Sequence, residues 1–402
     1  MRYAVKGSWL LDGTSRPALR DAAVVIRDGT VEGIATGSQL LDLERGIQTL
    51  SFDGCTVLPG LVNCHSHLTL PGDGTAVEEG MDRSDDHLLL QAHTNGLRSL
   101  GSGVTTLADL GSRNDTTFAL RGAIESGIVD GPRLVLAGGA LTTPKGHCWQ
   151  FGGEAEGVEG LRAAAQAMLD RGADLLKVMA TGGGTRGTDP YNPQFSLEEM
   201  RAVVEVAHGA GKPAFAHCTC TEAIRRAVSV GFDVIVHGEF SDPSGVRTFD
   251  PEVVELAEAA GCLWNPTLEV AACRIRGHQA DASIDAAAVA DGYRVYEQRK
   301  RDVRRIHEMG VPLAAGSDEG WAENRFGNFA LELEALVETG LSAHEAIQCA
   351  TVISARALGV DSKVGTLEPG KYADILVVAG EAGVDIRALS RVRAVFKGGC
   401  RI

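Results

Sequence analysis

Between residues 59 and 360, short apolar segments alternate with longer segments in which apolar residues recur at helical spacing. This alternation predicts parallel strands joined by crossover helices. One helix is predicted to begin at the capping box of Ser196 and Glu199, which precedes an apolar-periodic run. Eight strand–helix units predict an α/β fold closed into a (β/α)8 TIM barrel. The predicted strands span residues 61–67, 104–110, 134–140, 175–180, 214–218, 234–238, 263–268 and 312–318.

The two ends of the chain share a different pattern, in which short strands alternate with glycine-containing turns. Helical periodicity is absent over residues 1–58, so we expect no helix there. Residues 365–378 and 392–397 have the same strand-and-turn character. Because chain termini commonly lie close together and edge strands need partners, the simplest arrangement is one small β-domain. We predict that residues 1–58 and 361–402 form this domain, and that residues 59–360 form the barrel.

The amino-acid composition argues against some classes of binding partner. Lys and Arg total 38 against 53 Asp and Glu, and the resulting net charge of −15 repels nucleic acid and anionic lipid surfaces. Nine cysteines without paired spacing indicate a reducing compartment, and neither a signal peptide nor an apolar run of membrane-spanning length is visible. We therefore expect a cytoplasmic protein that binds a small-molecule substrate, with no nucleic acid and no membrane as partner. A homo-oligomer is compatible with the sequence.

Polar residues gather at the carboxyl ends of five predicted strands, where barrel enzymes carry their chemistry. Two histidines at i and i+2 on a strand project to the same face, so the pair in the first strand can reach one metal ion. A single His-X-His pair is often incidental. The prediction of a metal site therefore depends on finding six such polar residues together at the ends of five strands of one barrel. The residues concerned are His65, His67, Lys177, His217, His237 and Asp318.

Lys177 stands out because a charged amine inside an apolar strand is costly unless it is paired or neutralised. One interpretation pairs Lys177 with a carboxylate at the barrel mouth. In the other, burial and nearby cations lower the lysine pKa, and the neutral amine reacts with CO2 to give a carbamate anion. The two oxygens of that anion could bridge two metal ions, whose charge Asp318 alone leaves largely unbalanced.

At these positions the chain resembles the amidohydrolase superfamily, in its binuclear, carboxylated-lysine branch near the Xaa-Pro dipeptidase and imidazolonepropionase-like enzymes. The resemblance covers nearly the whole chain. It implies a TIM barrel with a small β-sandwich domain formed from both termini. The matching segments are residues 57–68, 177–183, 216–217, 236–238, 316–318 and 365–378.

The resemblance also implies how the metal ligands are shared, with two divalent metal ions, usually zinc, as the cofactors. His65, His67 and Asp318 would hold one ion, and His217 and His237 the other. Lys177, carboxylated to N6-carboxylysine, would bridge them. A metal-bridging hydroxide would be the nucleophile, and Asp318 would act as general base and then as general acid.

Substrate contacts are less sharply indicated. His147, in the loop after the third strand, resembles a histidine that relatives place over the substrate, where it could polarise the scissile carbonyl or bind a carboxylate. It could equally be a solvated loop residue. Several carboxypeptidase-like relatives carry a Tyr two residues after the histidine of the fifth strand, and here that position is Thr219. Arg186 and Tyr191, in the glycine-rich loop after the fourth strand, are alternative substrate contacts or ordinary surface residues.

The function that these residues favour is hydrolysis of an amide-type C–N bond in a dipeptide or N-acyl amino acid. A urea or carbamate hydrolase on the same site is the alternative. A mononuclear deaminase fits less well, because it needs a Glu close after His217 and Glu222 is five residues beyond it, while Lys177 would have no role. A barrel that keeps metals only for stability or binding is the non-enzymatic hypothesis.

Overall fold

The computed structural model describes residues 1–281 and 284–402. Its strands, in chain order, are β1 Arg2–Leu10, β2 Leu19–Arg27, β3 Thr30–Ala35, β4 Gln48–Pro59, β5 Leu61–Ser66, β6 Val104–Asp109, β7 Arg133–Leu136, β8 Leu141–Thr142, β9 Gly153–Glu154, β10 Leu176–Met179, β11 Ala214–Cys220, β12 Val234–Ser241, β13 Leu263–Asn265, β14 Ile375–Ala379, β15 Val392–Lys397 and β16 Cys400–Arg401.

The α-helices are α1 Gly37–Gly46, α2 Val77–Met81, α3 Asp85–Gly101, α4 Thr116–Glu125, α5 Gly157–Asp170, α6 Leu197–Gly209, α7 Thr221–Val230, α8 Pro251–Ala259, α9 Leu268–Ala280, α10 Ala286–Glu308, α11 Ala330–Glu338, α12 Ala343–Gln348 and α13 Ser354–Ala357. Short turns of other helix types cover Trp149–Phe151, Cys349–Ile353 and Ile386–Ser390. Helix α6 begins with the predicted capping box of Ser196 and Glu199. Among the described residues, no helix is both long and apolar enough to span a bilayer.

Both termini contribute to one seven-stranded sheet, in the order β16-β15-β14-β4-β1-β2-β3. Strand β1 pairs with β4 in parallel, and β14 pairs with β4 antiparallel, so that Val377 lies opposite Val57. One face of this sheet is buried because apolar residues alternate along its strands, among them Val5 and Val24. The prediction that the two ends form a common β-domain is confirmed, and the exact domain boundaries stay a prediction.

The expectation of no helix in the first 58 residues is wrong. Helix α1 lies between β3 and β4. Of its residues, Leu40 is buried and packs with Ala4 and Ala23 of the sheet, whereas Leu41 is exposed. Because α1 is short and buries few of its side chains, its sequence shows no helical period.

The barrel strands pair in parallel in two groups, β5-β6-β7 and β10-β11-β12-β13, and the third predicted strand links the groups. Its first part, β7, pairs with β6, and β8 pairs with β10. The turn between them includes Gly138, whose φ of +72° is a left-handed conformation that favours glycine. The predicted strand over residues 134–140 is thus one barrel strand with a break, and the TIM barrel is confirmed.

The eighth predicted strand, over residues 312–318, is not a regular strand, yet it closes the barrel. Its backbone exchanges hydrogen bonds with Trp264 of β13, at 2.9 and 3.0 Å, and Asp318 N donates to His65 O at 2.9 Å on the other side. The side chain of Asn265 bonds two of its carbonyl oxygens, at 3.1 Å each. Because side chains replace part of the ladder, the segment is irregular. Gly316 permits the close approach, since a Cβ there would lie 2.7 Å from that of His65.

Candidate metal centre

His65 lies near the carboxyl end of β5, and His67 follows two residues later with its side chain in the same cavity. Both are buried. The Nε2 atom of each ring lies 3.3 Å from Asp318 Oδ1, and the three candidate ligand atoms lie within 4.8 Å of one another. Two imidazoles and one carboxylate at this spacing are a donor set suited to a divalent transition metal.

The rings of two of the histidines are oriented by hydrogen bonds from outside the cavity. His65 Nδ1 lies 2.9 Å from the side-chain oxygen of Asn265, and His237 Nδ1 lies 2.6 Å from Thr267 Oγ1. In each ring Nε2 remains available. Metal-binding histidines characteristically have their second nitrogen engaged in this way, because it fixes both tautomer and ring direction.

His217 and His237 come from the middle of the neighbouring strands β11 and β12, and their ring centroids are 4.7 Å apart. The His65 ring is 5.6 Å from that of His237, so the two pairs of histidines adjoin. His217 Nε2 donates to the carbonyl oxygen of Gly182 at 3.0 Å, which leaves the lone pair on Nδ1. Burial lowers the pKa of His217 to about 4 and that of His237 well below its ordinary value. Both rings are therefore neutral, as a metal ligand must be.

Lys177 projects from β10 into the same cavity and is 1% exposed. Its Nζ has no hydrogen-bond partner among the residues that the structure describes. Burial lowers the pKa of this amine to about 8, although the Asp318 carboxylate opposes that shift. An unpartnered amine at the base of a polar cavity is costly, and this cost needs an explanation.

Asp318 ends the irregular eighth segment with a φ of +58°, and His237 has a φ of +66°. Such left-handed backbone is uncommon outside glycine and stores about 1–3 kcal/mol of strain, which is found most often at functional sites. Asp318 Oδ1 is buried and has no hydrogen-bond partner within the described chain. Burial favours the neutral carboxyl, but the facing His65 and His67 hold the pKa of Asp318 well below its usual range.

The predicted ligands open into a cavity of about 260 Å³ that His147 and Trp321 also line. His147 is buried, and its ring centroid is 4.6 Å from that of His217 and 5.4 Å from that of Trp321. Its Nδ1 lies 2.9 Å from Thr185 Oγ1 and accepts a longer hydrogen bond from Thr185 N at 3.4 Å. The loop that carries His147 is therefore part of the wall of the cavity.

The structure separates the two loop residues that the sequence suggested as substrate contacts. Tyr191 lines the same cavity as the histidines and is 40% exposed. Arg186 lines a neighbouring cavity of about 180 Å³, where its backbone N–H donates to Glu78 at 3.1 Å. Thr219 lines the first cavity, but its hydroxyl donates to the carbonyl oxygen of Pro190.

Sequence reasoning missed a charged group in the wall of the cavity, formed by Glu239, Arg247, Arg274 and Arg299. Glu239 lies two residues after His237 on β12, and the two-residue period of a strand could have identified it. The arginines lie in a loop and on helices α9 and α10, where no strand period applies. Their convergence on one carboxylate is visible only in three dimensions.

A comparison with known proteins places the chain in a family. The model of the amidohydrolase family matches residues 56–401. Ochratoxinase of Aspergillus niger is 27% identical over 432 residues, which cover 97% of this chain and 84% of the relative. A Xaa-Pro dipeptidase solved with bound methionine in its active site has a TM-score of 0.86 at 27% identity, with all of both chains covered. The imidazolonepropionase of Symbiobacterium thermophilum is 26% identical over 396 residues, 90% of this chain and 86% of the relative. The chain therefore belongs to the amidohydrolase family.

Proposed function

We propose that this protein hydrolyses the amide bond of a dipeptide or an N-acyl amino acid at a binuclear metal centre. Membership of the amidohydrolase family supports metal-dependent hydrolysis of an amide-type C–N bond. The observation that carries the proposal is Lys177, whose buried Nζ lies unpartnered, within the described residues, beside the histidines and Asp318. The proposed ligands are His65, His67, Lys177, His217, His237 and Asp318.

The chemistry of these donors fits a pair of divalent ions. Neutral imidazoles and a carboxylate suit zinc and similar metals. A carbamate on Lys177 would give its nitrogen a stable environment and add a negative charge to a set of proposed ligands that otherwise holds only one, on Asp318. Two ions bound there would supply Lewis acidity, which polarises a carbonyl and lowers the pKa of water.

Asp318 is the proposed general base and acid. Its low pKa keeps the carboxylate ionised, and Oδ1 faces His65 and His67, so Oδ2 is the atom that would accept the proton of the attacking water. The same atom would then deliver the proton to the leaving nitrogen.

His147 is proposed to polarise the scissile carbonyl. Burial lowers the pKa of His147 well below its ordinary value, so the ring is neutral. Because Thr185 N–H donates to Nδ1, the ring proton belongs on Nε2, which is then a hydrogen-bond donor for a carbonyl oxygen.

A mononuclear deaminase is disfavoured by the position of Glu222. That residue is the glutamate nearest after His217 in the chain, and it lies in the first turn of α7. Its side chain is 53% exposed and pairs with Arg226 at 2.8 Å. It does not line the cavity, so it cannot transfer protons there.

The direct test is a hydrolysis screen with metal-loaded protein on N-acyl amino acids, dipeptides, aryl ureas and carbamates. We expect release of the free amino acid from the first two classes, abolished by Asp318→Asn and unaffected by Asp86→Asn on the surface of α3. Metal analysis of the same samples should give about two ions per chain. Turnover confined to ureas or carbamates, or a protein that binds metal without hydrolysing any of the four classes, would refute the proposal.

A further inference from the structure

The wall of the cavity that holds the metal-site residues carries an excess of positive charge. Glu239, Arg247, Arg274 and Arg299 all line it. They come from four successive parts of the chain, namely β12, the loop after it, α9 and α10. Three guanidinium groups face one carboxylate, so two positive charges stay unbalanced within this group.

Glu239 is already fully engaged by its neighbours. Arg247 Nη2 donates to Glu239 Oε2, and Arg299 Nη1 lies 3.4 Å from Oε1. Arg299 is also held by the carbonyl oxygen of Pro266, at 2.6 Å from Nη2. Burial favours the neutral carboxyl, but Arg299, Arg247 and Arg274 hold the pKa of Glu239 below its usual value. Glu239 and the buried Arg299 therefore form a fixed ion pair.

Arg247 and Arg274 retain unused hydrogen-bonding capacity. Arg247 Nη1 is buried without a hydrogen-bond partner among the described residues. Arg274 is exposed at the cavity and forms neither a hydrogen bond nor an ion pair within residues 1–281 and 284–402. A buried guanidinium nitrogen without an acceptor is costly, and guanidinium groups bind carboxylates in a geometry that few other cations match.

We propose that Arg247 and Arg274 form the subsite for a free carboxylate of the substrate. This inference rests on the proposed function and deepens it. It selects substrates whose scissile amide is followed by a carboxylate, as in N-acyl amino acids and dipeptides, over neutral ureas and carbamates. His147, the proposed donor to the scissile carbonyl, lines the same cavity, and Val270, Met179 and Trp321 provide apolar wall for the remaining side chain.

The first test compares a substrate with its decarboxylated analogue. Wild-type enzyme should hydrolyse N-acetylleucine with a kcat/KM about 100-fold above that of N-(3-methylbutyl)acetamide, which differs only by the carboxylate. Arg274→Gln should reduce this preference about tenfold or more, mainly through KM. Arg294→Gln, which changes an exposed arginine of α10 that pairs with Asp291, should keep the preference.

The second test measures binding without turnover. Calorimetric titration of the metal-loaded wild type should show leucine binding at least about tenfold more tightly than 3-methylbutylamine, which has the same amine and no carboxylate. Arg274→Gln should remove the difference and Arg294→Gln should retain it. Arg247→Gln is a weaker probe, because it also leaves Glu239 without one of its partners.

The outcomes distinguish this inference from the function on which it rests. Equal hydrolysis of N-acetylleucine and its neutral analogue would overturn the carboxylate subsite and leave amide hydrolysis standing. Equal binding of leucine and 3-methylbutylamine would do the same. Absence of any amide hydrolysis, with selective leucine binding that Arg274→Gln removes, would refute the proposed reaction and support the subsite.

Discussion

His65 Nδ1 lies 2.9 Å from Asn265 Oδ1, and the amide nitrogen of Asn265 donates to the carbonyl oxygens of Ala314 and Gly316. These two carbonyls fix which end of the amide faces the ring. Nδ1 must therefore carry the proton, and Nε2 presents its lone pair beside Asp318. One residue thus closes the barrel and orients a candidate ligand.

Asn265→Ala should weaken metal binding about 10- to 100-fold, because the His65 ring loses the acceptor that fixes its tautomer. Competition between the protein and a chelator for zinc measures the affinity. Gln166→Ala is the control, since the Gln166 amide donates to Asp170 on an exposed helix surface. Unchanged affinity in Asn265→Ala would show that the hydrogen bond does not orient a ligand.

Lys177→Ala should reduce the bound metal from about two ions per chain to about one, because the bridging anion is lost. In wild-type protein stripped of metal, bicarbonate should accelerate reloading, since the amine, with a pKa of about 8, is partly neutral at neutral pH and can react with CO2. Lys212→Ala, on the surface, is the matched control. A carbamate bridge would be contradicted if Lys177→Ala still bound two ions per chain, or if bicarbonate did not change the rate at which the wild-type protein takes up metal again.

Gly183→Ala should lower kcat about tenfold or more, because a Cβ at residue 183 would lie 2.6 Å from His147 Nε2 and displace the ring. Metal content should stay normal, since His147 is not a proposed ligand. Steady-state kinetics and metal analysis on one preparation check both statements. Gly160→Ala, where nothing lies within 4 Å of the added Cβ, should leave activity unchanged.

Glu332 predicts a pH dependence of stability. Burial raises the pKa of this carboxyl from its ordinary value of 4.5 to about 8, even though it accepts hydrogen bonds from Leu268 N at 3.0 Å and Glu269 N at 2.6 Å. Between pH 4.5 and about 8 the carboxyl of Glu332 keeps its proton in the folded state but has lost it in the unfolded state. Stability contributed by this group therefore falls as pH rises through that window, by at most about 1.4 kcal/mol per pH unit.

Denaturant unfolding of metal-free protein at several pH values measures this slope. Glu332→Gln should flatten it, because the amide cannot titrate, although the variant loses one acceptor oxygen. Glu338→Gln, an exposed position on the same helix, should preserve the wild-type slope. An unchanged slope in Glu332→Gln would assign the pH dependence to other groups.

The spacing of apolar and polar residues in the sequence predicted the features of the fold and the site that depend on the barrel strands. Apolar segments located the barrel, and polar residues at their carboxyl ends located the histidines, Lys177 and Asp318, which the structure brings into one cavity. Residues 312–318 were predicted as a regular strand, but the segment is irregular. Its hydrogen bonds involve the side chains of Asn63 and Asn265, and no periodicity in the sequence indicates such bonds.

The group of arginines in the wall of the cavity could not be predicted for a related reason. Arg247 and Arg274 lie 27 positions apart in the sequence, on a loop and a helix, and the fold brings both to the cavity that Glu239 lines. Arg186 carried an equal charge in a glycine-rich loop and looked as suitable, but its backbone is fixed to Glu78 beside a different cavity. Composition cannot distinguish such arginines.

The pairing of β4 with β14 also has a consequence for synthesis of the protein. Val57 and Val377 are neighbours in one sheet although 320 positions separate them. While the ribosome is still producing the barrel, one edge of β4 has no partner, and an unpaired apolar edge is prone to aggregate. Completion of that sheet must therefore wait until β14 has been synthesised, which makes it a late folding event.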